Sequence, residues 1–320
     1  MNVSPWPHRL ALATLICTLL LVAFGSLVTT FTAGMAVKGW WIVEGQDGAE
    51  HFLLFFPGHE WTRDPGTFYE HTHRMIGTVV GVVAILTALS ATFAARAGAL
   101  GRKAVVVCWV ALLAIAIQGA IGGFRVLENS PGLAFLHGVL GQLTFAVIGL
   151  AVMATSHLWQ TSGPGRAERA PVGLAWATSV FALIQIGLGA WYRHGLRNPD
   201  VTLAPGSLHM HITGAVVLLG FVIALAIAVT FCARAIEERE PELARRLLGA
   251  KKQLHALIGI QIVLGLAALV AKGGDEVTLA ESAIALCHVV VGALILARTL
   301  SLVFWLERAR EGGAAWAGAA

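Results

Sequence analysis

The chain has 320 residues, 57% of them hydrophobic and 12% charged, with a formal net charge of +4 and a mean hydropathy of +0.76. About 25% charged residues is usual for a soluble domain, so this composition excludes an ordinary one and makes a bilayer the expected solvent. Long apolar runs near the roughly 20 residues that cross a hydrocarbon core recur with short polar breaks, which one signal peptide ahead of a soluble domain does not produce.

The N-terminal stretch Met1 to Arg9 is too short and too poor in Arg and Ser for a mitochondrial transit sequence, and a bacterial cytoplasmic membrane is the expected location. The first predicted span is Leu10 to Thr30. A long external segment follows, Lys38 to Tyr69, with Trp40, Trp41, Phe55, Phe56, Trp61, Phe68 and several acidic residues. It reads as a lid, and for Trp40 and Trp41 equally as an interfacial aromatic belt. Seven more spans are predicted at His73 to Ala95, Ala104 to Phe124, Leu133 to Ser156, Ala170 to Trp191, Leu208 to Cys232, Leu254 to Ala271 and Ala280 to Leu302. The expected fold is all-α and polytopic, with two repeated four-helix halves, residues 1–160 and 161–320, joined near Thr161 to Ala170.

Cytoplasmic loops carry the excess of Lys and Arg. Arg96, Arg102 and Lys103 follow span two, Arg166 and Arg169 follow span four, and Arg234, Arg239, Arg245, Arg246, Lys251 and Lys252 follow span six. Arg308 and Arg310 lie near the C-terminus. The opposite side has Lys38, Arg63, Arg125, Arg193, Arg197 and Lys272, so both termini are expected in the cytoplasm. The positive charge thus reflects topology and gives no reason to invoke nucleic acid. Cys17, Cys108, Cys232 and Cys287 all fall within spans, form no CxxC pair and leave the external loops without a cysteine, so a loop disulfide is excluded.

Three odd-numbered spans contain Gln-x-x-x-Gly: Gln118 with Gly122, Gln185 with Gly189, and Gln261 with Gly265. Amide and glycine then share a helix face, which suits helix packing in any one span and favours duplication when it occurs in three. The even spans each carry one histidine in their external half: His73, His137, His211 and His288. An ionisable side chain within a span is costly and points to function. Four at matching depth suit heme iron, whose axial nitrogens come from imidazoles on facing helices. Gly77, Gly141, Gly214 and Gly292, three or four residues after each histidine, are expected to leave bare backbone beside it, and Gly138 adds another. The other histidines need no such reading; His8, His51, His59, His157, His194 and His255 lie in loops or at span ends.

Around His73 the sequence reads Glu70-His71-Thr72-His73-Arg74. Glu70 stands one turn before His73, either as a carboxylate beside a ligand plane or as a solvated acid at a helix start. Arg74 has the donor fork for an anionic propionate.

Glu70-x-x-His73-Arg74, the Gln-x-x-x-Gly spans, the stretch Gln185 to His194 ending Trp-Tyr-Arg-His, and single histidines opening spans four, six and eight resemble the heme A synthase family of eight-helix membrane proteins. The stretch Gly25 to Val37 is also similar, whereas Lys38-Gly39-Trp40-Trp41 departs from the Pro-Asp-Trp-Pro-like continuation of that family. His209-Met210-His211-Ile212 stands where many members have His-Arg, so His211 rather than His209 is the ligand expected there, and its propionate partner stays open. Some members carry cysteine pairs in external loops for electron transfer, and this chain has none.

The resemblance implies oxidation of the C8 methyl of heme O to a formyl group by successive hydroxylations, with heme B as cofactor and the product serving terminal oxidases. It implies that His73 and His137 ligate the substrate heme and that His211 and His288 ligate heme B. Glu70 would be catalytic, stabilising an electron-poor intermediate or moving a proton, and Arg74 would anchor propionates. Expected partners are heme O, the lipid bilayer, a heme O synthase and terminal oxidase assembly, and the reading is compatible with a homo-oligomer. The rival readings are a di-heme electron-transfer cytochrome, which gives no reason for an acid beside one ligand of four, and a heme-free transporter of two repeats.

Overall fold

Apolar runs in lipid must satisfy every backbone group internally, and here they do so as helices. The structure is a computed structural model and describes residues 3–163, 167, 170–197, 206–271 and 277–310. The first helix is α1, Trp6–Thr30. A three-stranded antiparallel sheet follows: β1, Lys38–Gly39; β2, Ile42–Glu44; and β3, Glu50–Phe52. The β1–β2 turn needs Gly39, whose φ is 82° and where a Cβ would meet the Ile42 carbonyl oxygen. Next come a short helix α2, Gly58–Trp61, and the long helices α3, Pro65–Arg96, α4, Arg102–Leu127, and α5, Pro131–Thr155. After the one-turn α6, His157–Thr161, the chain forms α7, Val172–Arg197, α8, Ser207–Ile236, α9, Pro241–Ala271, and α10, Leu279–Ala309.

Eight of these helices are long and apolar enough to cross a membrane among the described residues, one for each predicted span. The fold is all-α and polytopic. Two helices begin well before their apolar runs. Helix α3 starts at Pro65 because Asp64 caps it, accepting from the Thr67 N–H at 2.8 Å with proline at the first position. That bond, with Arg63 beside it, holds the Asp64 carboxyl below its usual range. Helix α9 starts at Pro241, and its polar opening buries Leu243, Leu247, Ala250, Leu254 and Ile258, a stripe at helical spacing that packs it inward.

Neighbour contacts run α1–α3–α4–α5–α1 and α7–α8–α9–α10–α7, closing two rings of four helices. The rings meet through α1 and α5 on one side and α7 and α10 on the other. The main apolar core, including Ile148, Leu225, Val229, Leu243, Leu247, Leu296 and Trp305, fills the middle and the end remote from the sheet. Cys17, Cys108, Cys232 and Cys287 are all unpaired and lie in helices. Arg166, Arg169 and Lys272, used above to orient the chain, lie outside the described residues, as does half of the Thr161 to Ala170 joint.

Candidate functional site

Each of the four histidines sits against a glycine of the preceding odd-numbered span. A Cβ added at Gly25 would stand 3.0 Å from Cε1 of His73; at Gly122, 2.9 Å from that of His137; at Gly189, 2.8 Å from that of His211; and at Gly265, 3.4 Å from that of His288. At Gly25, Gly122 and Gly189 a side chain would crowd the ring, whereas at Gly265 it would stand at the edge of ordinary contact.

One turn before each glycine stands a group that holds the ring nitrogen. Gln185 Nε2 lies 3.0 Å from His211 Nδ1 and donates to the His211 carbonyl at 2.8 Å. Gln118, with its amide oriented by its partners, repeats this with His137 Nδ1 at 3.0 Å and the His137 carbonyl at 3.2 Å. Gln261 Nε2 lies 3.1 Å from His288 Nε2. In α1 the corresponding residue is Leu21, whose main-chain carbonyl lies 3.1 Å from His73 Nδ1. A carbonyl only accepts, so His73 must carry its proton on Nδ1 and present Nε2 as a bare lone pair.

The glycines that follow the histidines do not leave open backbone beside them. Because paired helices run antiparallel, they face the residue that precedes the seat glycine. A Cβ at Gly77 would meet Leu21, at Gly141 Gln118, at Gly214 Gln185 and at Gly292 Gln261. The seat is therefore reciprocal, histidine against one glycine and glutamine or leucine against the other. Gly138 faces His194 Nε2 instead.

The seats bring the histidines together in two pairs. His73 and His137 have ring centroids 6.3 Å apart with planes at 81°, and His211 and His288 are 6.2 Å apart at 69°. At these separations one metal atom would fit between the rings of each pair, held by a nitrogen of each imidazole at about 2.0–2.1 Å. No group of three or more His, Cys, Asp or Glu side chains suited to a metal ion forms among the described residues. Two axial nitrogens are a poor site for a bare ion but complete a heme iron, whose macrocycle supplies four. The donor set thus fits heme in both pairs.

Glu70 and Arg74 lie above the first pair. Glu70 is 2% exposed, accepts from Arg74 at 2.7 Å and accepts from the Val37 N–H at 2.8 Å. Arg74 also donates to the Gly39 carbonyl at 2.8 Å and the Val37 carbonyl at 2.9 Å. A propionate contact by these donors would require exchange with one of these oxygens. Arg125 donates to the Gly34 carbonyl, Arg63 to that of Ala36, and Trp40 lies against Gly123, the residue after the His137 seat. The segment Lys38 to Tyr69 is thereby fastened over this end of the bundle. His71 lies between Phe56 and Trp61.

Sequence reasoning missed Leu21 with Gly25, and also Arg193, which joins the two rings by donating to the Ser26 carbonyl, Ser26 Oγ and Thr30 Oγ1. His194, set aside as a span-end residue, is within α7 and reaches Phe135 and Gly138 of α5. The available signal was Arg193 itself, a cation one turn after Gly189 in an apolar helix.

The glycine seats make a contrast within one helix testable. Gly187 has nothing within 4 Å of an added Cβ, so Gly187→Ala should be neutral or gain about 0.5–1 kcal/mol from helix propensity. Gly189→Ala pushes on a ring that Gln185 pins, and overpacking of this kind costs about 1–3 kcal/mol. Thermal unfolding should show a lower midpoint for Gly189→Ala alone; equal midpoints would contradict the seat.

A heme A synthase of Rhodopseudomonas palustris (strain BisA53) is 32% identical over 161 residues, a stretch covering 49% of this chain and 42% of that relative. No family model matches the chain.

Proposed function

We propose that this chain is a heme A synthase, converting the C8 methyl of heme O to a formyl group by successive hydroxylations. The observation that carries this reading is the pair of histidine couples, at 6.3 Å and 6.2 Å, each ring seated by glycine and held at a nitrogen from the helix behind it. The similarity to the Rhodopseudomonas palustris protein, whose name is heme A synthase, supports it at family level.

In this reading the two rings arose by duplication and divide the work. Residues 1–160 bind the substrate heme through His73 and His137, and residues 161–320 bind heme B through His211 and His288. Bound heme B would supply one-electron redox chemistry. The protein's own part is position and electrostatics. Gln185 and Gln261 donate to a ring nitrogen of His211 and His288 and so fix the orientation of the cofactor imidazoles. Glu70 places a buried negative charge on the substrate side, where it can stabilise positive charge or accept a proton. The sheet and Trp40, fastened by Arg63, Arg74 and Arg125, exclude water from that end. The excess of Lys and Arg puts both termini in the cytoplasm and the sheet on the outer side of a bacterial cytoplasmic membrane. Heme O synthase and the terminal oxidase assembly route are the expected partners.

The test is mass analysis of hemes extracted from cells that express this chain together with a heme O synthase. Heme A should appear. Its absence, with heme O abundant and two unmodified hemes bound to the purified protein, would replace this reading with a di-heme electron carrier.

A further inference from the structure

The four histidines occupy one end of the helix bundle. At the other end, α9 and α10 bring together N–H donors that have no acceptor. Arg246 Nε and Trp305 Nε1 are both buried without a hydrogen-bond partner. The Arg246 guanidinium lies over the Trp305 ring, 5.6 Å from its centroid, and Trp305 is itself 1% exposed. Arg298 precedes Trp305 by seven residues, two helical turns, and so shares its face of α10 about 10 Å away. It stands close enough to Arg246 for the two charges to repel.

Other arginines within the bundle have oxygen partners. Arg74 pairs with Glu70, Arg125 binds the Gly34 carbonyl, Arg193 binds Ser26 and Thr30, and Arg308 binds the carbonyls of Trp159 and Ser162. Neither Arg246 nor Arg298 has an ion pair among the described residues. Two nearby acids are engaged elsewhere, Glu242 by Arg245 and Glu307 by Arg310.

We propose that Arg246, Arg298 and Trp305 form a binding site for a phosphate-class anion between α9 and α10. A donor-only cluster with two positive charges calls for a ligand that is negative and rich in acceptors, and phosphate oxygens meet both needs. Water would satisfy the donors and leave the charges uncompensated. This is the bundle end carrying Arg234, Lys251 and Lys252, where an anionic headgroup is drawn. An anionic phospholipid and free phosphate offer the same chemistry to these donors.

The test uses the full heme-loaded chain in a neutral detergent, examined by native mass spectrometry with phosphatidylglycerol, phosphatidylcholine or inorganic phosphate added separately. One phosphatidylglycerol should be retained in preference to phosphatidylcholine, and the Arg246→Gln, Arg298→Gln double variant should weaken retention at least tenfold. Arg245→Gln, at an exposed residue already paired with Glu242, should leave it unchanged. Retention of inorganic phosphate alone, with the same dependence on Arg246 and Arg298, supports the site with a free anion as its ligand. Equal retention by wild type and double variant, or no retention of either probe, overturns the proposal. If the double variant does not fold, the wild type still decides: phosphatidylglycerol or inorganic phosphate must raise its unfolding temperature more than phosphatidylcholine does, and equal shifts overturn the site.

Discussion

Glu70→Gln is expected to slow the conversion of heme O by roughly 100- to 1,000-fold, the cost of losing a preorganised charge at a reacting centre, while the bound heme B spectrum stays in place. Heme O or a hydroxylated intermediate should accumulate in cells carrying the variant. The substitution keeps the size of the side chain and an oxygen for the Val37 N–H, which Glu70 accepts at 2.8 Å. It removes the charge opposite Arg74. That pair is nearly buried, with side chains 10% and 3% exposed, and breaking such a pair costs about 3–5 kcal/mol when the remaining charge cannot reach water. A structural effect must therefore be separated from a catalytic one. The separation comes from location, since Glu70 is on α3 and His211 and His288, the proposed heme B ligands, are on α8 and α10. If the variant retains heme B and its unfolding midpoint falls only modestly while heme A disappears, the loss is chemical. Undiminished heme A at equal protein level would refute the catalytic role. A parallel loss of heme A, heme B and stability would reduce Glu70 to a fastening of the external segment.

Much of this architecture was legible before any coordinates. Each apolar run became a helix, because length and apolarity dictate a span whatever its neighbours are. The boundaries of α3 and α9 were less legible. Both helices continue through polar sequence, one on the Asp64 cap and the other on a buried leucine stripe beginning at Leu243. The four histidines stood out because an imidazole is costly in lipid. Their partners did not. Gln185 and His211 are 26 residues apart, and the bond between them depends on antiparallel register, which spacing within one helix does not encode. Leu21 was invisible for a deeper reason: it acts through its carbonyl, which every residue possesses. Arg74, expected at a propionate, also donates to the Val37 and Gly39 carbonyls, which the sequence around it does not reveal. The path of residues 37–39 follows from the Gly39 turn and from packing on α3, and neither is a local property of Arg74.

Replacing His211 or His288 with Ala should abolish the low-spin heme B spectrum of the purified protein, while His209→Ala should leave it unchanged. His209 and His211 are two residues apart on α8, so they point to different sides of the helix. His209 is exposed, whereas His211 is seated on Gly189 and held by Gln185. Either replacement removes one of two axial nitrogens, which leaves at most a five-coordinate, high-spin heme. His288→Ala also strands the Gln261 amide, at a cost of about 1–3 kcal/mol, whereas Gln185 keeps the main-chain carbonyl of residue 211, so the unfolding midpoint is measured beside the spectrum. His73→Ala and His137→Ala are the complementary pair. They should spare heme B and block the handling of heme O, because their ring seats are on α1 and α4, in the other ring of helices. An unchanged low-spin spectrum in both His211→Ala and His288→Ala would show that this couple does not hold the cofactor. Loss of heme B in His73→Ala with retention in His211→Ala would reverse the assignment of the two rings.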